Sequence, residues 1–330
     1  MMKFLSLSIV LTAVSCWKFT SHFIISRIAH DILKEEDSFC LWEVEQELKI
    51  LERSYPTWTE KEGDHPMVEC STFADDVKWK GQSYQSTWHY VNVPLYESRK
   101  DRRRYPFEAP EHNVTEAIQG IVDMFRKEGE YWNSYVYQSL MKYGPSGHGP
   151  ADSYSIALRY LIHYVADVHQ PMHSTARINS DYPDGDRGGN DFGVPYKYGA
   201  SNLHAVWDSV MYEFRTNPKA PFDEPTWEEW GGYASSLVAK HPLDTLNDVT
   251  DLDPLSWERE SYLVAKKFVY RRINEDEALP DWYVKKGQII AEKRLVEAGY
   301  RLANLLRTLQ YVYPIEEPSA PSSEPVFIQP

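Results

Sequence analysis

The stretch HYVADVHQPMH, residues 163–173, places three histidines and one aspartate in eleven positions and contains a proline. It completes an apolar and aromatic segment, residues 152–169, whose pattern predicts a helix. Because proline cannot continue a helix, Pro171 predicts where that helix ends. The stretch is therefore either the end of a core helix with incidental imidazoles or half of a metal site.

Helix geometry divides the polar residues of this stretch. His163 and Asp167 stand at i and i+4, on one face and about one turn apart, where both side chains can hold the same ion. His169 points to another face and is a poor candidate for the same site. His173 follows the proline, where the chain has left the helix and can fold back.

A second pair with the same spacing occurs in NLHAVWD, residues 202–208, where His204 and Asp208 are i and i+4. One such pair is weak evidence, because ion pairs on helix surfaces produce it often. Two pairs that flank a glycine-rich segment favour a metal site. Histidine and aspartate without cysteine suit zinc, manganese or iron, and the imidazoles favour zinc. Open coordination positions would indicate hydrolysis rather than a structural ion.

Helical periodicity covers most of the 330 residues, and no internal repeat is visible. Strand-like alternation is scarce, and the glycine-rich segment 174–200 predicts a long loop or a short ribbon. The sequence therefore predicts an all-α fold, a single mainly helical domain over residues 17–312. The predicted helices occupy residues 19–33, 41–54, 152–169, 202–215, 226–240, 255–272 and 281–311, with one more beginning at Asn113.

The two ends of the chain differ from its body. Residues 1–16, MMKFLSLSIVLTAVSC, have the layout of a signal peptide cleaved after Cys16, with a buried N-terminal helix as the alternative. Cleavage there would make Trp17 the first residue of a secreted protein, or of one in a lysosome- or vacuole-like lumen. Residues 313–330 are rich in Pro, Ser and Glu and predict a disordered tail without a lipid-anchor signal.

Secretion would affect three further residues. Cys40 and Cys70 could form one disulfide in an oxidising compartment, and Asn113 begins a glycosylation sequon.

The formal net charge of -14 argues against duplex-DNA binding by a basic face. A polyanionic substrate would need local cations, and bound metal is one source of them.

Three further candidates stand alone in the sequence. His22 could be a satisfied core histidine, Asp75 a helix cap or surface acid, and His89 a partner in an aromatic cluster. Taken together with the pairs, however, they form an ordered set. The set comprises Trp17 and His22, separated by four residues, followed by the motifs FADDVK, STWHYVN, ALRYLIHYVADVHQPMH, GGNDF and SNLHAVWD.

This ordered set resembles the zinc-dependent single-strand-specific nucleases of fungi, plants, protists and bacteria, the type I nucleases. The resemblance runs from Trp17 to about residue 311 and implies a mainly helical fold with three zinc ions at the bottom of a cleft. It also implies the ligands: Asp75, His89, His163 and Asp167 for one zinc; His22, Asp167 as a bridge, and the α-amino group and carbonyl oxygen of Trp17 for the second; His173, His204 and Asp208 for the third. Cleavage after Cys16 would then create a ligand that the precursor lacks.

The resemblance also implies a mechanism. A water or hydroxide bridging the first two zincs, oriented by Asp75, would attack phosphorus while the third zinc stabilises the departing 3′ oxygen. The expected partners are single-stranded DNA, RNA and 3′-nucleotides, with 5′-phosphorylated products, 3′-nucleotidase activity, no membrane and no obligate protein partner.

Two positions depart from the better-known members. A transition-state Arg is replaced by Lys78, which keeps the charge but loses bidentate geometry. A base-reading Asp is replaced by Asn92, which can donate as well as accept, so base preference should differ. Tyr90 keeps the stacking aromatic, and Asn190 of GGNDF is a further expected substrate contact.

Three alternatives compete with the nuclease prediction. The related phospholipase C has a longer gap after its N-terminal Trp and a Glu where this chain has Asp208. A binding protein without turnover would be favoured by a missing ligand, and none is missing. Purely structural ion pairs would require nine ligands to align by chance.

Overall fold

The computed structural model describes residues 19–311, so the predicted signal peptide, Trp17 and the predicted tail at 313–330 lie outside the described residues. Within that range the chain forms twelve α-helices and four short strands, which confirms the predicted all-α class. The helices are α1 Phe19–Glu36, α2 Ser38–Ser54, α3 Pro66–Glu69, α4 Phe73–Asp76, α5 Arg99–Arg104, α6 Val114–Arg126, α7 Tyr135–Lys142, α8 Pro150–His169, α9 Leu203–Asp208, α10 Glu224–Lys240, α11 Pro254–Val264 and α12 Asp281–Leu306. The strands are β1 Val93–Tyr96, β2 Thr175–Ile178, β3 Gly193–Lys197 and β4 Ala200–Asn202.

Helix α8 is the buried centre of the fold, and it confirms the helix predicted over residues 152–169. Every residue from Ser153 to His169 is buried, because α2, α6, α11 and α12 pack around it. Pro150 occupies its first turn, where the missing N–H costs nothing. After Gln170, Pro171 starts a 3₁₀ turn that ends at Ser174. Polar side chains on α8 therefore need partners inside the protein.

Helix α1 runs against α12, and a glycine sets how closely the two approach. A Cβ on Gly299 would lie 2.5 Å from Ile28 Cγ2, so only glycine fits there. The close packing buries nearly all of α1, including the polar side chain of His22 near its N-terminal end. This places the start of α1 beside α8.

The glycine-rich segment forms a short ribbon, one of the two forms predicted for it. Strands β3 and β4 pair antiparallel, and Tyr198 and Gly199 at the turn both have positive φ, 48° and 85°. Two such residues are typical of the tight hairpin turn that matches strand twist. A separate parallel pair joins β1 to β2, with Val93 opposite Thr175.

The helix predicted over residues 202–215 is shorter than expected. Helix α9 ends at Asp208, and Val210, Met211 and Tyr212 follow with positive φ values of 50°, 55° and 72°. These three side chains are nevertheless buried. Their apolar spacing therefore reflects burial in a left-handed turn rather than another helical turn.

Among residues 19–311, no helix is both long enough and apolar enough to cross a membrane.

Candidate metal centre

The structure brings eight of the nine predicted metal ligands together at one end of α8; the ninth, Trp17, lies outside the described residues. Seven of the eight are buried, and Asp75 is half-buried. They form three groups in which the ligand atoms lie within 4.8 Å of one another. In the order used below, the groups are Asp75, His89 and His163; His22, His163 and Asp167; and His173, His204 and Asp208.

The first group surrounds a single point between α4, α8 and the 3₁₀ turn Ser83–His89. His163 Nε2 lies 3.1 Å from His89 Nδ1 and 3.2 Å from Asp167 Oδ2. Asp75 completes the ring, with Oδ1 3.8 Å from His89 Nδ1. Two donor atoms bound tetrahedrally to one zinc stand roughly 3.3 Å apart. The spacing of these four side chains therefore fits one ion.

The second group uses the other oxygen of the same carboxylate. His22 Nε2 lies 3.5 Å from Asp167 Oδ1, and the His22 ring stacks on His163 at 4.0 Å between centroids. Neither ring nitrogen of His22, nor Asp167 Oδ1, has a hydrogen-bond partner among the described residues. Asp167 can therefore bridge two ions.

The third group joins α9 to the 3₁₀ turn after α8. His204 Nε2 and Asp208 Oδ2 are 3.5 Å apart, and the rings of His173 and His204 lie 4.9 Å apart. Gln170 Nε2 donates to Asp208 Oδ1 at 2.7 Å and fixes that carboxylate. Pro171 thus ends α8 at the point where His173 can turn toward α9.

Backbone carbonyls orient three of these imidazoles. His163 Nδ1 donates to Ser71 O at 2.7 Å, and His173 Nδ1 donates to His89 O at 2.6 Å. His204 Nδ1 donates to Gly188 O at 2.8 Å. In each case the hydrogen bond leaves the lone pair on Nε2, directed into its group. Metal-binding histidines are held in this way.

His89 has the opposite tautomer. Its Nε2 donates to Gln85 Oε1 at 2.6 Å, so the lone pair is on Nδ1, 2.8 Å from Asp167 Oδ2. Gln85 is itself fixed, because it donates to Ala74 O and accepts from Tyr164. An imidazole lone pair that faces a carboxylate is repelled unless a cation stands between them.

The GGNDF motif contributes through its backbone. Gly188 has φ +62°, and a Cβ there would lie 2.4 Å from Met172 O. Glycine is therefore required for the chain to approach closely enough for its carbonyl to accept from His204. The motif therefore supports the third group through a backbone carbonyl, which orients His204, rather than through a side chain.

Burial and local charge favour the metal-binding protonation states of His89, His22 and Asp167. Burial lowers the pKa of His89 to about 3 and holds the pKa of His22 well below its ordinary value. Burial alone would raise the pKa of Asp167, but the facing His163 and His173 hold that pKa well below its usual range. Neutral imidazoles and an ionised carboxylate are the forms that bind metal.

The donor set therefore fits divalent metal. Three observations agree: donor atoms spaced for a shared ion, buried nitrogens without hydrogen-bond partners, and lone pairs directed at carboxylates. Nitrogen and oxygen donors without thiolate suit zinc among the common ions.

Lys78, predicted to stabilise the transition state, lies at the mouth of the first group. Its Nζ donates to Asp75 Oδ1 at 2.8 Å. Burial alone would raise the pKa of Asp75, but Lys78 and the facing His163 and His89 hold it below its ordinary range. A cation thus stands beside the one half-buried ligand.

The predicted substrate residues share one cleft with the third group. Tyr90, Asn92 and Asn190 line a cavity of about 70 Å³ together with His173 and His204. Asn92 adopts φ 57°, which turns the chain sharply after Tyr90.

Arg187 also lines this cleft, and the sequence analysis missed it. Its side chain is half-exposed, 3.5 Å from Asp191 Oδ1. The signal available was a basic residue directly before the GG pair in an acidic chain.

Two predictions away from the centre have different outcomes. Cys40 and Cys70 are buried free thiols, which corrects the expected disulfide. They lie on separate segments with separate partners, since Cys70 Sγ donates to Met67 O and Cys40 lies beside the hydroxyl of Tyr311. Asn113 caps α6 by accepting from Thr115 N at 3.0 Å, and its glycosylation stays a prediction.

Comparison with known proteins agrees with this geometry. The family model described as S1/P1 Nuclease matches residues 17–310. Endonuclease 5 of Arabidopsis thaliana is 25% identical over 307 residues, covering 89% of this chain and 90% of that protein. Endonuclease 4 of the same plant is 25% identical and covers 93% of both chains. Nuclease S1 of Aspergillus oryzae is 27% identical over 190 residues, covering 51% of this chain and 57% of that protein. The chain belongs to the S1/P1 nuclease family.

Proposed function

We propose that this protein is a secreted nuclease that uses three zinc ions to hydrolyse single-stranded DNA and RNA to 5′-phosphorylated products, and that it also acts as a 3′-nucleotidase. Membership of the S1/P1 family makes it a hydrolase of phosphodiester bonds. The observation that carries the finer proposal is the division of eight buried or half-buried ligand residues into three groups, the first two of which share Asp167 and His163.

Zinc bound at these groups would supply Lewis acidity and a nucleophilic water of lowered pKa. Asp75 is suited to orient the attacking water, because its side chain is 12% exposed whereas Asp167 and His163 are fully buried. Lys78, 20% exposed, holds that carboxylate and presents its positive charge at the same opening. The Lys78 ammonium would thus face the negative charge on the non-bridging oxygens of the attacked phosphate.

The cleft explains the proposed preference for single strands. A base can stack on Tyr90 and bond to Asn92 or Asn190 only after it leaves a duplex. Arg187 adds a planar cation at the same cleft, although the chain as a whole carries a formal charge of -14. Arg187 therefore brings one positive charge, paired with Asp191, to the cleft where a phosphate would lie.

Secretion rests on the predicted cleavage after Cys16. The family match begins at residue 17, which supports that position. A free amino group on Trp17, five residues before His22, would complete the second group. Sequencing the mature N-terminus tests this directly, since a chain that starts elsewhere lacks the terminal amine ligand.

Metal content and activity of the purified mature protein test the whole proposal. We expect about three zinc ions per chain, cleavage of single-stranded DNA, RNA and 3′-AMP, and loss of all three activities in a chelator, restored by zinc. One zinc per chain, or cleavage that persists in chelator, would contradict it. Hydrolysis of phosphatidylcholine in place of nucleic acid would favour a phospholipase C, and zinc binding without any turnover would indicate a binding protein.

A further inference from the structure

A buried carboxylate lies close in sequence to the glycines that support the third group. Asp186 is fully buried. Its Oδ1 accepts from Arg177 N at 2.9 Å, and its Oδ2 accepts from the Tyr270 hydroxyl at 2.7 Å. Gly189 N also donates to this carboxylate. Because a buried carboxylate is costly unless hydrogen bonds satisfy it, these contacts hold Asp186 firmly in place.

The backbone that follows Asp186 needs support from outside. Arg187, Gly188 and Gly189 have successive positive φ values of 53°, 62° and 77°. Left-handed backbone is unfavourable for a residue with a Cβ, as in arginine. The carbonyls of this strained turn hold His204, since Gly188 O accepts from His204 Nδ1 at 2.8 Å and Gly189 O accepts from His204 N at 3.2 Å. Whatever fixes the turn therefore also fixes this ligand.

Tyr270, the partner of Asp186, is placed by a π-helical turn. The sequence pattern predicts a regular helix over residues 255–272, but α11 ends at Val264 and continues as a π-turn, Ala265–Val269. Such turns are rare and recur at functional sites. This one packs against the 3₁₀ turn that follows α8 and carries the ligand His173. The π-turn therefore lies directly behind the third group.

The same π-turn supports a second side of the third group. Trp207 belongs to α9, which carries two ligands of this group, and its Nε1 donates to the Tyr283 hydroxyl at 3.1 Å. The Tyr283 hydroxyl in turn donates to Val269 O at 2.6 Å. Two adjacent residues, Val269 and Tyr270, thus anchor both α9 and the strained turn.

We propose that Asp186 and Tyr270 are positioning residues for the third metal group. Their hydrogen bond fixes the strained turn, so that the Gly188 carbonyl keeps the His204 imidazole directed at its ion. The first two groups do not depend on this bond, because the partners that orient their imidazoles, Ser71 O and Gln85, lie on other segments. This inference rests on the proposed three-zinc function and extends it to residues outside the centre.

Zinc binding by the full-length variants Asp186→Ala and Tyr270→Phe tests the proposal. In a titration with buffered free zinc, we expect Asp186→Ala to weaken one of the three ions about 10-fold. This is the lower end of the range for the direct partner of a ligating histidine, because Asp186 acts through the backbone. Tyr270→Phe should weaken the same ion by less, and the other two ions should keep their affinities. Excess zinc should restore cleavage of single-stranded DNA by Tyr270→Phe.

Tyr154→Phe is the matched control for loss of a buried hydroxyl. Tyr154 donates to Met124 O at 3.3 Å. It lies near the start of α8, nine residues and about 14 Å before His163. Its loss should leave all three zinc affinities unchanged. If Asp186→Ala does not fold, as judged by urea unfolding, Tyr270→Phe still tests the proposal, because it removes only one oxygen.

Other outcomes overturn the proposal. Equal weakening of all three ions would mean that Asp186 and Tyr270 only stabilise the fold, and unchanged affinities would remove them from the metal centre. A raised KM that excess zinc does not reverse, with zinc binding unchanged, would show that the pair serves Arg187 in the cleft.

The wild type separates this inference from the proposed function. If it binds no third ion, the three-zinc proposal has failed and the positioning role fails with it. If it binds three ions but cleaves nothing, only the nuclease activity has failed, and the zinc titration still decides the role of Asp186.

Discussion

Helix α8 carries two buried histidine environments that look alike in sequence and differ in chemistry. On one face His163 and Asp167 take part in the candidate metal centre. On another face His169 is equally buried, but its Nδ1 donates to Val165 O at 2.7 Å and its Nε2 faces Arg301 at 3.0 Å. Arg294 also donates to His169 O. Both nitrogens of His169 thus have protein partners.

The difference shows what marks a buried histidine as a metal ligand. Around His169 the neighbouring charges are Arg294 and Arg301, which lower its pKa further after burial has lowered it and which would repel an ion. Around His163 the neighbours are Asp167 and Asp75, which raise its pKa although burial lowers it. Burial is common to both, but of these two environments only that of His163 has imidazole lone pairs that converge on carboxylates.

Asp167→Asn should have the largest effect, because this carboxylate serves two groups. We expect loss of zinc from both and a fall in nuclease kcat/KM of more than about 100-fold, the upper range seen for residues that only support a ligand. Zinc content by mass spectrometry and cleavage of single-stranded DNA measure it.

Glu297→Gln is the matched control on the other side of α8. Glu297 is also fully buried and pairs with Arg294 at 2.6 Å. Its loss should lower stability and leave zinc content unchanged. If the two variants lose zinc equally, the distinction between the two environments is wrong.

Gln85→Leu should have the next largest effect, because it removes the acceptor that sets the tautomer of His89. Zinc affinity should fall about 10- to 100-fold, as is typical when the partner of a ligating histidine is lost. Gln85→Glu keeps an acceptor at this position and should recover most of the affinity. Titration with a chelator of known affinity distinguishes the variants; equal affinities would show that the tautomer does not depend on Gln85.

His169→Gln should affect stability and not metal. Loss of one buried, charge-assisted hydrogen bond with Arg301 should lower the free energy of unfolding by about 1–3 kcal/mol. Zinc content and kcat/KM at pH 7 should match the wild type, as measured by urea unfolding and the nuclease assay. A loss of zinc would instead make His169 part of the centre.

The sequence predicted the helices and the paired ligands because both depend on local spacing. The positions of His163 and Asp167 follow from helix geometry, and Pro171 marks the turn toward His173. The convergence of His22, Asp75 and His89 depends on three separate segments, and only the family resemblance supplied it. Local spacing cannot encode such contacts.

Other features of the structure could not be predicted from the sequence, for physical reasons. The end of α9 at Asp208 depends on a left-handed turn whose residues are apolar and contain no glycine, so no turn signal was visible. The free thiols of Cys40 and Cys70 depend on tertiary placement. Arg187 reaches the cleft because the segment between β2 and β3 folds back on the turn after α8.

The smallest predicted effect is a change with pH. Burial, and then Arg294 and Arg301, hold the pKa of His169 well below its ordinary value, whereas an unfolded histidine titrates near 6.5. Below about pH 6.5 the unfolded chain therefore binds one proton more than the folded chain, and stability falls by up to about 1.4 kcal/mol per pH unit. Glutamine at this position cannot titrate. The stability advantage of the wild type over His169→Gln should thus be greatest above pH 7 and should shrink by about 1 kcal/mol at pH 5.5. Urea unfolding of both zinc-loaded proteins measures this difference, and protonation of the shared metal ligands cancels in it. A constant or widening gap would mean that His169 is protonated in the folded protein.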